Sequence, residues 1–349
     1  MFTLCRPGSY DMSRHVRRTV AAILLVGLLQ LPSAAQPAPK VDIPPDPIAT
    51  PTPWIDLGTS PIASPPDEPA PTTHKLAASL TLGGIYAGFA TWTYFAWYRK
   101  HHPLSEFKVG GDGWLGSATY AGGADKFGHA WATMSLARAG TELLHQWGGF
   151  TTLQSALVAT ALSEALFLGV EVKDGFYYEF SLSDATGDTL GALAALALSL
   201  SPRLDELFDF RVQYWPSHEY LHQLDGGNVN VAEDYSGETY LLALHLGGLH
   251  TLRDTRWGVW TRFIDVAVGF GTRGYKPDPP GMELDYKHRQ ELSIGVSLNL
   301  QGLSDWLFER RSRPAFKIGH GLFEVFNGGY LPALQWERSP TGPVAPGGA

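Results

Sequence analysis

The sequence predicts a mainly α protein, in which a membrane-associated bundle of about four helices precedes a small antiparallel β region. Three features support this prediction. Residues 76–98 carry no charge, apolar residues recur with a helical period up to about residue 200, and apolar and polar residues alternate after Pro202. The change of period divides the chain into a helical core, residues 74–202, and a β-containing region, residues 203–336.

Two segments precede the helical core, and one follows the β region. Residues 1–35 contain a basic segment, an apolar run from Thr19 to Leu31 and a final group of small residues, which predicts a secretory signal peptide. Residues 36–73 contain 12 prolines, so we expect an extended linker. Residues 337–349 are rich in Gly and Pro and are predicted to form a disordered tail.

Four segments of the core have helical character. The first, Leu76 to Tyr98, has terminal aromatic residues and is followed by Arg99 and Lys100, which predicts a helix that spans or lies on a membrane. A buried core helix is the alternative. Ser181 has the spacing of an N-cap for the last segment. The other three segments run from about Asp125 to Trp147, Thr152 to Val170 and Asp184 to Leu200.

Three runs in the later region alternate apolar side chains with small or polar ones, which is the pattern of half-buried strands. They are Tyr240 to Leu246, Ile264 to Phe270 and Leu292 to Leu300. Because such runs are few, we expect a small antiparallel sheet packed on or beside the helices.

Composition excludes several classes of protein. The 349 residues include 26 Lys+Arg and 34 Asp+Glu, a net charge of −8, whereas a nucleic-acid binder needs a basic surface. The single cysteine, Cys5, excludes a disulfide scaffold and a multi-cysteine metal site. The charge-free first helix predicts a membrane lipid as partner, and the acidic balance predicts no nucleic acid. The sequence specifies no protein partner.

Ionisable side chains interrupt the apolar helices and are expected to converge, because isolated charges on apolar helices are costly. Asp125 and His129 share a face of the second helix, and Asp184 and Asp188 share a face of the fourth. Gly191 continues this second face and lets another helix approach it closely. The candidate catalytic residues are Asp125, Lys126, His129, Glu164, Glu171, Asp174, Asp184 and Asp188.

Such a convergence contains more carboxylates than cations, and a bound divalent metal ion would balance the charge. The candidate metal ligands are Asp125, His129, Asp184 and Asp188. The alternative is a structural network of salt bridges and helix caps, because aspartates near helix N-termini interact favourably with the helix dipole.

These motifs carry a resemblance to a family. The strings Ala124-Asp125-Lys126-Phe127-Gly128-His129, Glu171-x-x-Asp174 and Phe180-Ser181-x-x-Asp184-x-x-x-Asp188-x-x-Gly191-Ala192 resemble the YfiM-like family of exported bacterial proteins, a domain of unknown function. The chain is more distantly similar to VanZ-like membrane proteins, which have Asn where this sequence has Asp188. The resemblance covers roughly residues 110–300, including the stretch Asp234 to Tyr240. It implies a location in the cell envelope; many YfiM-like proteins resemble lipoproteins, but no cysteine follows the apolar run here.

One further string has the form of a metalloprotease motif. His218-Glu219-x-x-His222 matches the zinc-binding pattern in which two histidines bind the metal and a glutamate acts as general base. Pro216 and Ser217 stand immediately before it and glycines follow soon after it, so any helix is short. A polar surface turn is the alternative, and His218 and His222 are the weaker metal candidates.

Three functions are compatible with these features. The first is an exported, periplasm-facing envelope protein that is structural or interacts with lipid. The second is a metal-dependent hydrolase of a lipid or cell-wall precursor, which acts through the helical Asp, Glu and His side chains. The third is a zinc peptidase that uses His218, Glu219 and His222.

Overall fold

The computed structural model describes residues 74–110, 113–116, 119–222, 231–275 and 288–339. The predicted signal peptide, the predicted linker and residues 340–349 of the predicted tail lie outside the described residues. The last strand continues through Arg338.

Helices make up the first part of the described chain. The long ones are α1 (Lys75–Thr93), α2 (Ala124–Glu142), α3 (Thr152–Tyr177) and α4 (Leu182–Leu200). Turns of π-helix, Tyr94–Tyr98 and Leu143–Trp147, extend α1 and α2. The shorter helices that follow are α5 (Pro202–Asp205), α6 (His218–Leu221), α7 (His250–Arg253), α8 (Gly258–Thr261), α9 (Leu300–Phe308) and α10 (Arg313–Val325).

Side-chain caps begin two of the long helices. The Thr151 hydroxyl accepts a hydrogen bond from the Gln154 amide, and the Gln154 side chain accepts one from the Thr151 amide. The Ser181 hydroxyl accepts a hydrogen bond from the Asp184 amide, so the predicted N-cap of α4 is confirmed.

Helix α2 packs against both α3 and α4, and glycines set its close approach to α4. A Cβ atom at Gly191 would lie 2.1 Å from the Ala130 carbonyl oxygen, and one at Gly187 would lie 2.7 Å from the Lys126 carbonyl oxygen. The predicted close approach at Gly191 is therefore confirmed. It brings the acidic face of α4 against the polar start of α2.

The β structure is larger than the sequence indicated. Strands β1 (Val109–Gly110) and β2 (Phe180–Ser181) form a short parallel pair. The other strands form a six-stranded sheet in the order β7-β3-β4-β5-β6-β8. They are β3 (Phe208–Tyr214), β4 (Glu238–His245), β5 (Ile264–Arg273), β6 (Arg289–Leu298), β7 (Phe326–Asn327) and β8 (Tyr330–Arg338). The predicted fold class, with only a small β region, is wrong.

This sheet, β3 to β8, curls so that its two edges meet. Strands β7 and β8 form opposite edges, yet only Gly328 and Gly329 separate them in the chain. The side-chain oxygen of Gln213, on β3, accepts hydrogen bonds from the Tyr330 amide at 2.9 Å and from the Asn327 side chain at 3.1 Å. The edges of this curled sheet therefore approach each other near Tyr330, and the sheet has an inner and an outer face; further along β8, residues Leu331 to Arg338 are exposed.

Polarity across the curled sheet is the reverse of that in a water-soluble sheet. The buried inner face carries mostly small, polar and charged residues beside the larger Leu241 and Tyr330, and the exposed outer face carries large apolar ones. The inner residues include Asp209, Arg211, His245, Asp265, Ala267, Ser293 and Ser297. The outer residues include Leu242, Val266, Val268, Leu292, Ile294, Val296, Leu331, Leu334 and Trp336.

The helices and the curled sheet share a contact surface. Phe127 of α2 stacks on Phe270 of the outer face at a centroid distance of 4.8 Å. Arg138 of α2 forms ion pairs with Asp205 and with Glu324 of α10. Helices thus cover the outer face around Val212, Tyr240 and Phe270, whereas the apolar residues of β6 and β8 on this face are exposed.

The sequence predicts that α1 spans or lies on a membrane, but a different helix, α3, has the length and composition to cross one. Among the described residues one helix, α3, is long and apolar enough to cross a membrane, and 44% of its most apolar window is buried. A core helix of a soluble protein passes the same test. Helix α1 contains glycines and threonines, and it packs against Leu144 through Ala78, Leu82 and Tyr86.

Candidate functional site

The polar side chains of α2, α3 and α4 meet in one buried group. We call it the helical cluster, and its members are Asp125, Lys126, His129, Glu171, Asp184 and Asp188. The first half of the cluster is centred on Lys126. Its Nζ atom lies 2.7 Å from Asp125 Oδ2 and 2.9 Å from Asp184 Oδ1, and its side chain is buried.

The second half of the cluster is centred on His129. Its Nδ1 atom lies 3.0 Å from Asp188 Oδ1 and 3.5 Å from Glu171 Oε1. The Thr133 hydroxyl also donates to Asp188 Oδ1, at 3.0 Å. Asp188 is fully buried, and its second oxygen, Oδ2, has no hydrogen-bond partner among the residues that the structure describes. The cluster therefore contains a buried carboxylate oxygen with unused capacity as an acceptor.

Helix α3 is longer than the sequence indicated, and this places Glu171 in the cluster. The helix continues to Tyr177, so Glu171 and Asp174 lie on its last turns and not beyond its end. The Ser181 amide lies 3.4 Å from Glu171 Oε2, and the Tyr98 hydroxyl donates to Asp174 at 2.7 Å. These contacts stabilise a polar helix end that composition alone assigns to a loop.

The predicted catalytic residue Glu164 lies in a different environment. It accepts a hydrogen bond from the Thr189 hydroxyl at 2.7 Å, on the exposed side of the α3–α4 contact. The structure thus brings together Asp125, Lys126, His129, Glu171, Asp184 and Asp188, with Asp174 close to Glu171.

Burial controls the protonation of this cluster. Burial and the charge of Asp184 raise the pKa of Asp125 to about 7, although Lys126 opposes the shift. Burial raises the pKa of Glu171 to about 8 and that of Asp174 to about 6. Burial disfavours the protonated form of His129, but its bond to Asp188 and the neighbouring negative charges raise its pKa to about 10. Near neutral pH the imidazole is thus protonated and is not a general base.

The geometry divides the predicted metal ligands into two sets. Asp125 and Asp184 share the Lys126 ammonium group, which leaves them paired with a cation already present. His129, Glu171 and Asp188 instead offer ligand atoms that all lie within 4.8 Å of one another. Among the described residues this is the one group of three or more potential ligands with metal-binding geometry.

The zinc-protease string forms a single exposed helical turn. Helix α6 ends at Leu221, the rings of His218 and His222 stack at 4.1 Å, and His222 Nδ1 lies 2.8 Å from the His218 carbonyl oxygen. In the described part of the chain neither histidine belongs to a group of three potential ligands. The His218 to His222 segment therefore has the local structure of a polar surface turn, which was the alternative to a zinc site.

A second buried ionic group, not anticipated from the sequence, lies on the inner face of the curled sheet. Arg211 bonds to Asp209 and lies 3.0 Å from Asp265, and His245 lies 2.8 Å from each of these aspartates. Asn299 donates to Asp265 at 3.0 Å. We call these five residues the sheet network. The sequence does contain a pattern that indicates this group: Asp209 and Arg211 alternate with Phe208, Phe210 and Val212 along β3, so the two charged side chains share one face of the strand.

Comparison with known proteins supports an envelope location. Residues 111–200 match a family described as "Predicted periplasmic lipoprotein (DUF2279)". The matched segment contains every residue of the helical cluster. It supports the expectation of an exported, cell-envelope domain of unknown activity, whereas the YfiM-like and VanZ-like resemblances stay predictions. Neither a curated protein nor a solved structure matches the chain.

Proposed function

We propose that this protein is an exported envelope protein that docks on a lipid membrane through the outer face of its curled sheet. One observation carries the proposal: the sheet buries polar side chains and exposes large apolar ones. In water this arrangement loses the free energy of burying apolar surface, about 25 cal/mol per Å². Against lipid it is favourable, because acyl chains cover apolar side chains.

The exposed apolar side chains form continuous rows across neighbouring strands. Leu242, Val268, Ile294 and Leu334 are paired in register across β4, β5, β6 and β8, and each is 39–57% exposed. Val266, Val296 and Leu331 form the next row. A continuous apolar patch of this kind marks an interaction surface, whereas single exposed leucines do not.

Aromatic and charged residues border the apolar rows. Trp260 precedes β5 and Trp306 follows β6 at one end of the strands, and both are exposed. Trp336 lies towards the opposite end, where Arg289 and Glu337 form an ion pair at 3.8 Å. Tryptophan is enriched where protein meets the headgroup region of a membrane, which favours lipid as the occupant of this face.

A flotation assay with lipid vesicles tests the proposal. We expect the purified protein to float with vesicles of phosphatidylethanolamine and phosphatidylglycerol. The double variant Val268→Gln/Ile294→Gln should reduce the floated fraction at least about tenfold, because each change places an amide in the acyl region. Leu221→Gln, on the exposed turn α6, is the matched control and should float like the wild type.

Two outcomes contradict lipid docking. Wild-type protein that stays unbound at every lipid concentration excludes it. A concentration-dependent dimer that the double variant abolishes, without vesicle binding, assigns the same face to a second copy of the chain. Circular dichroism confirms that each variant keeps its helix and strand content.

A metal-dependent hydrolase is the second candidate, and it is favoured by the proximity of His129, Glu171 and Asp188. Three protein ligands with an open position are the common arrangement of catalytic zinc. The candidate requires a hydrolytic activity that a strong chelator abolishes and added metal restores. Activity that persists in chelator excludes it.

A further inference from the structure

We infer that His129, Glu171 and Asp188 form a binding site for one divalent transition-metal ion. The three side chains come from α2, α3 and α4, and their potential ligand atoms all lie within 4.8 Å of one another. A neutral imidazole and two carboxylates form a mixed nitrogen and oxygen ligand set, which suits Zn²⁺ or Mn²⁺. This site is independent of lipid docking.

A second observation at the same place points to a cation. Asp188 is 0% exposed, and within the described part of the chain its Oδ2 atom has no hydrogen-bond partner. An unpaired carboxylate oxygen in the interior is costly, and coordination to a metal ion removes that cost.

The charge balance also favours a cation. Asp125 and Asp184 both lie against the Lys126 ammonium group, so the basic group next to Glu171 and Asp188 is the His129 imidazole. A divalent ion would bring two positive charges to the place where these two carboxyl groups meet one imidazole, and it would bind the deprotonated forms of all three side chains.

The surroundings of the three ligands fit a metal site. The Thr133 hydroxyl donates to Asp188, and the Ser181 amide faces Glu171, so both carboxylates are oriented by their neighbours. The side chain of His129 is 21% exposed, whereas those of Glu171 and Asp188 are buried. Solvent therefore reaches the site from the side of His129, which provides an entry path for the ion.

Metal binding by the full chain tests this inference, with Zn²⁺ and Mn²⁺ as probes and Mg²⁺ for comparison. We expect one equivalent of Zn²⁺ or Mn²⁺ per chain by isothermal titration, with a rise in Tm. His129→Gln and Glu171→Gln should each weaken binding at least about tenfold, because each removes one ligand. Glu179→Gln is the matched control, since this exposed acid on the chain after α3 is outside the set, and it should bind normally.

The variant His218→Ala/His222→Ala separates this site from the exposed histidine turn. Metal binding that survives in this variant and is lost in His129→Gln supports the inference. Binding that depends on His218 and His222 alone, or a wild-type chain that binds neither Zn²⁺ nor Mn²⁺, overturns it. Both ligand variants are checked for folding by circular dichroism, and the Glu171→Gln result stands if His129→Gln does not fold.

Discussion

The Lys126 ammonium nitrogen lies 2.9 Å from the Asp184 carboxylate, and this buried ion pair joins α2 to α4. The approach of the two helices at Gly187 and Gly191 makes the contact possible, since a side chain at either position would meet the α2 backbone. Helix packing and cluster geometry therefore depend on each other.

Removal of the Lys126 charge should destabilise the fold strongly. Lys126→Met leaves Asp125 and Asp184 buried without their shared cation, and the free energy of unfolding should fall by about 3–5 kcal/mol. Chemical denaturation in detergent measures it. Lys100→Met, at an exposed position, is the control and should change stability by less than about 0.5 kcal/mol. A loss below about 1 kcal/mol in Lys126→Met would show that the carboxylates are neutral without it.

A methyl group at the helix contact tests the packing directly. Gly191→Ala places a Cβ atom 2.1 Å from the Ala130 carbonyl oxygen, so we expect a destabilisation of about 1–3 kcal/mol. A Cβ atom at Gly169 on α3 meets no atom of the described residues within 4 Å, so Gly169→Ala should stabilise the helix by up to about 1 kcal/mol. Thermal unfolding of the two variants should give shifts of opposite sign. Equal shifts would contradict the close approach of α2 and α4.

The sheet network should make stability depend on pH. Burial alone would lower the pKa of His245, but Asp209 and Asp265 raise it from 6.5 to about 9, while Arg211 and Asn299 complete its surroundings. A raised folded-state pKa stabilises the fold fully below the unfolded value, and that stabilisation disappears as pH rises from about 6.5 to about 9.

We therefore compare the wild type with His245→Gln by denaturation at several pH values. The wild type should lose on the order of 1–2 kcal/mol more than the variant between about pH 6 and pH 9. Because other histidines titrate in both proteins, only the difference reports on His245. Identical pH profiles would mean that the pKa of His245 is the same in the folded and unfolded states, which contradicts the stabilisation by Asp209 and Asp265.

Local sequence patterns predicted the helices and part of the site. Charge-free and amphipathic runs located the four long helices. As predicted, Ser181 caps the start of α4, and Gly191 lies at the close contact between α4 and α2. The ionisable residues of α2 and α4 meet because isolated charges on apolar helices must pair. The predicted end of α3, at about Val170, was wrong: the helix continues to Tyr177. Hydrogen bonds from the Tyr98 hydroxyl and the Ser181 amide stabilise its polar last turns.

The curled sheet shows what periodicity leaves undetermined. Alternation identifies which residues of β5 and β6 share a face, but it does not say which face is buried. Here Asp265 and Ser297 are inside while Val266 and Val296 are outside. Strand β8 contains Pro332 and shows no clean alternation, and β7 has only two residues. The extent of the sheet therefore depends on pairing across distant segments, which one sequence does not reveal.

Contact between the outer face and lipid is the central claim, and site-directed labelling tests it most directly. A nitroxide label is placed at Val296→Cys on the outer face or at Leu221→Cys on the exposed turn α6, with Cys5 replaced by Ser. In vesicles, the Val296 label should be relaxed by oxygen, which dissolves in acyl chains, and shielded from a water-soluble nickel reagent. The Leu221 label should show the opposite. Equal access of the nickel reagent to both labels, with and without vesicles, would contradict the account.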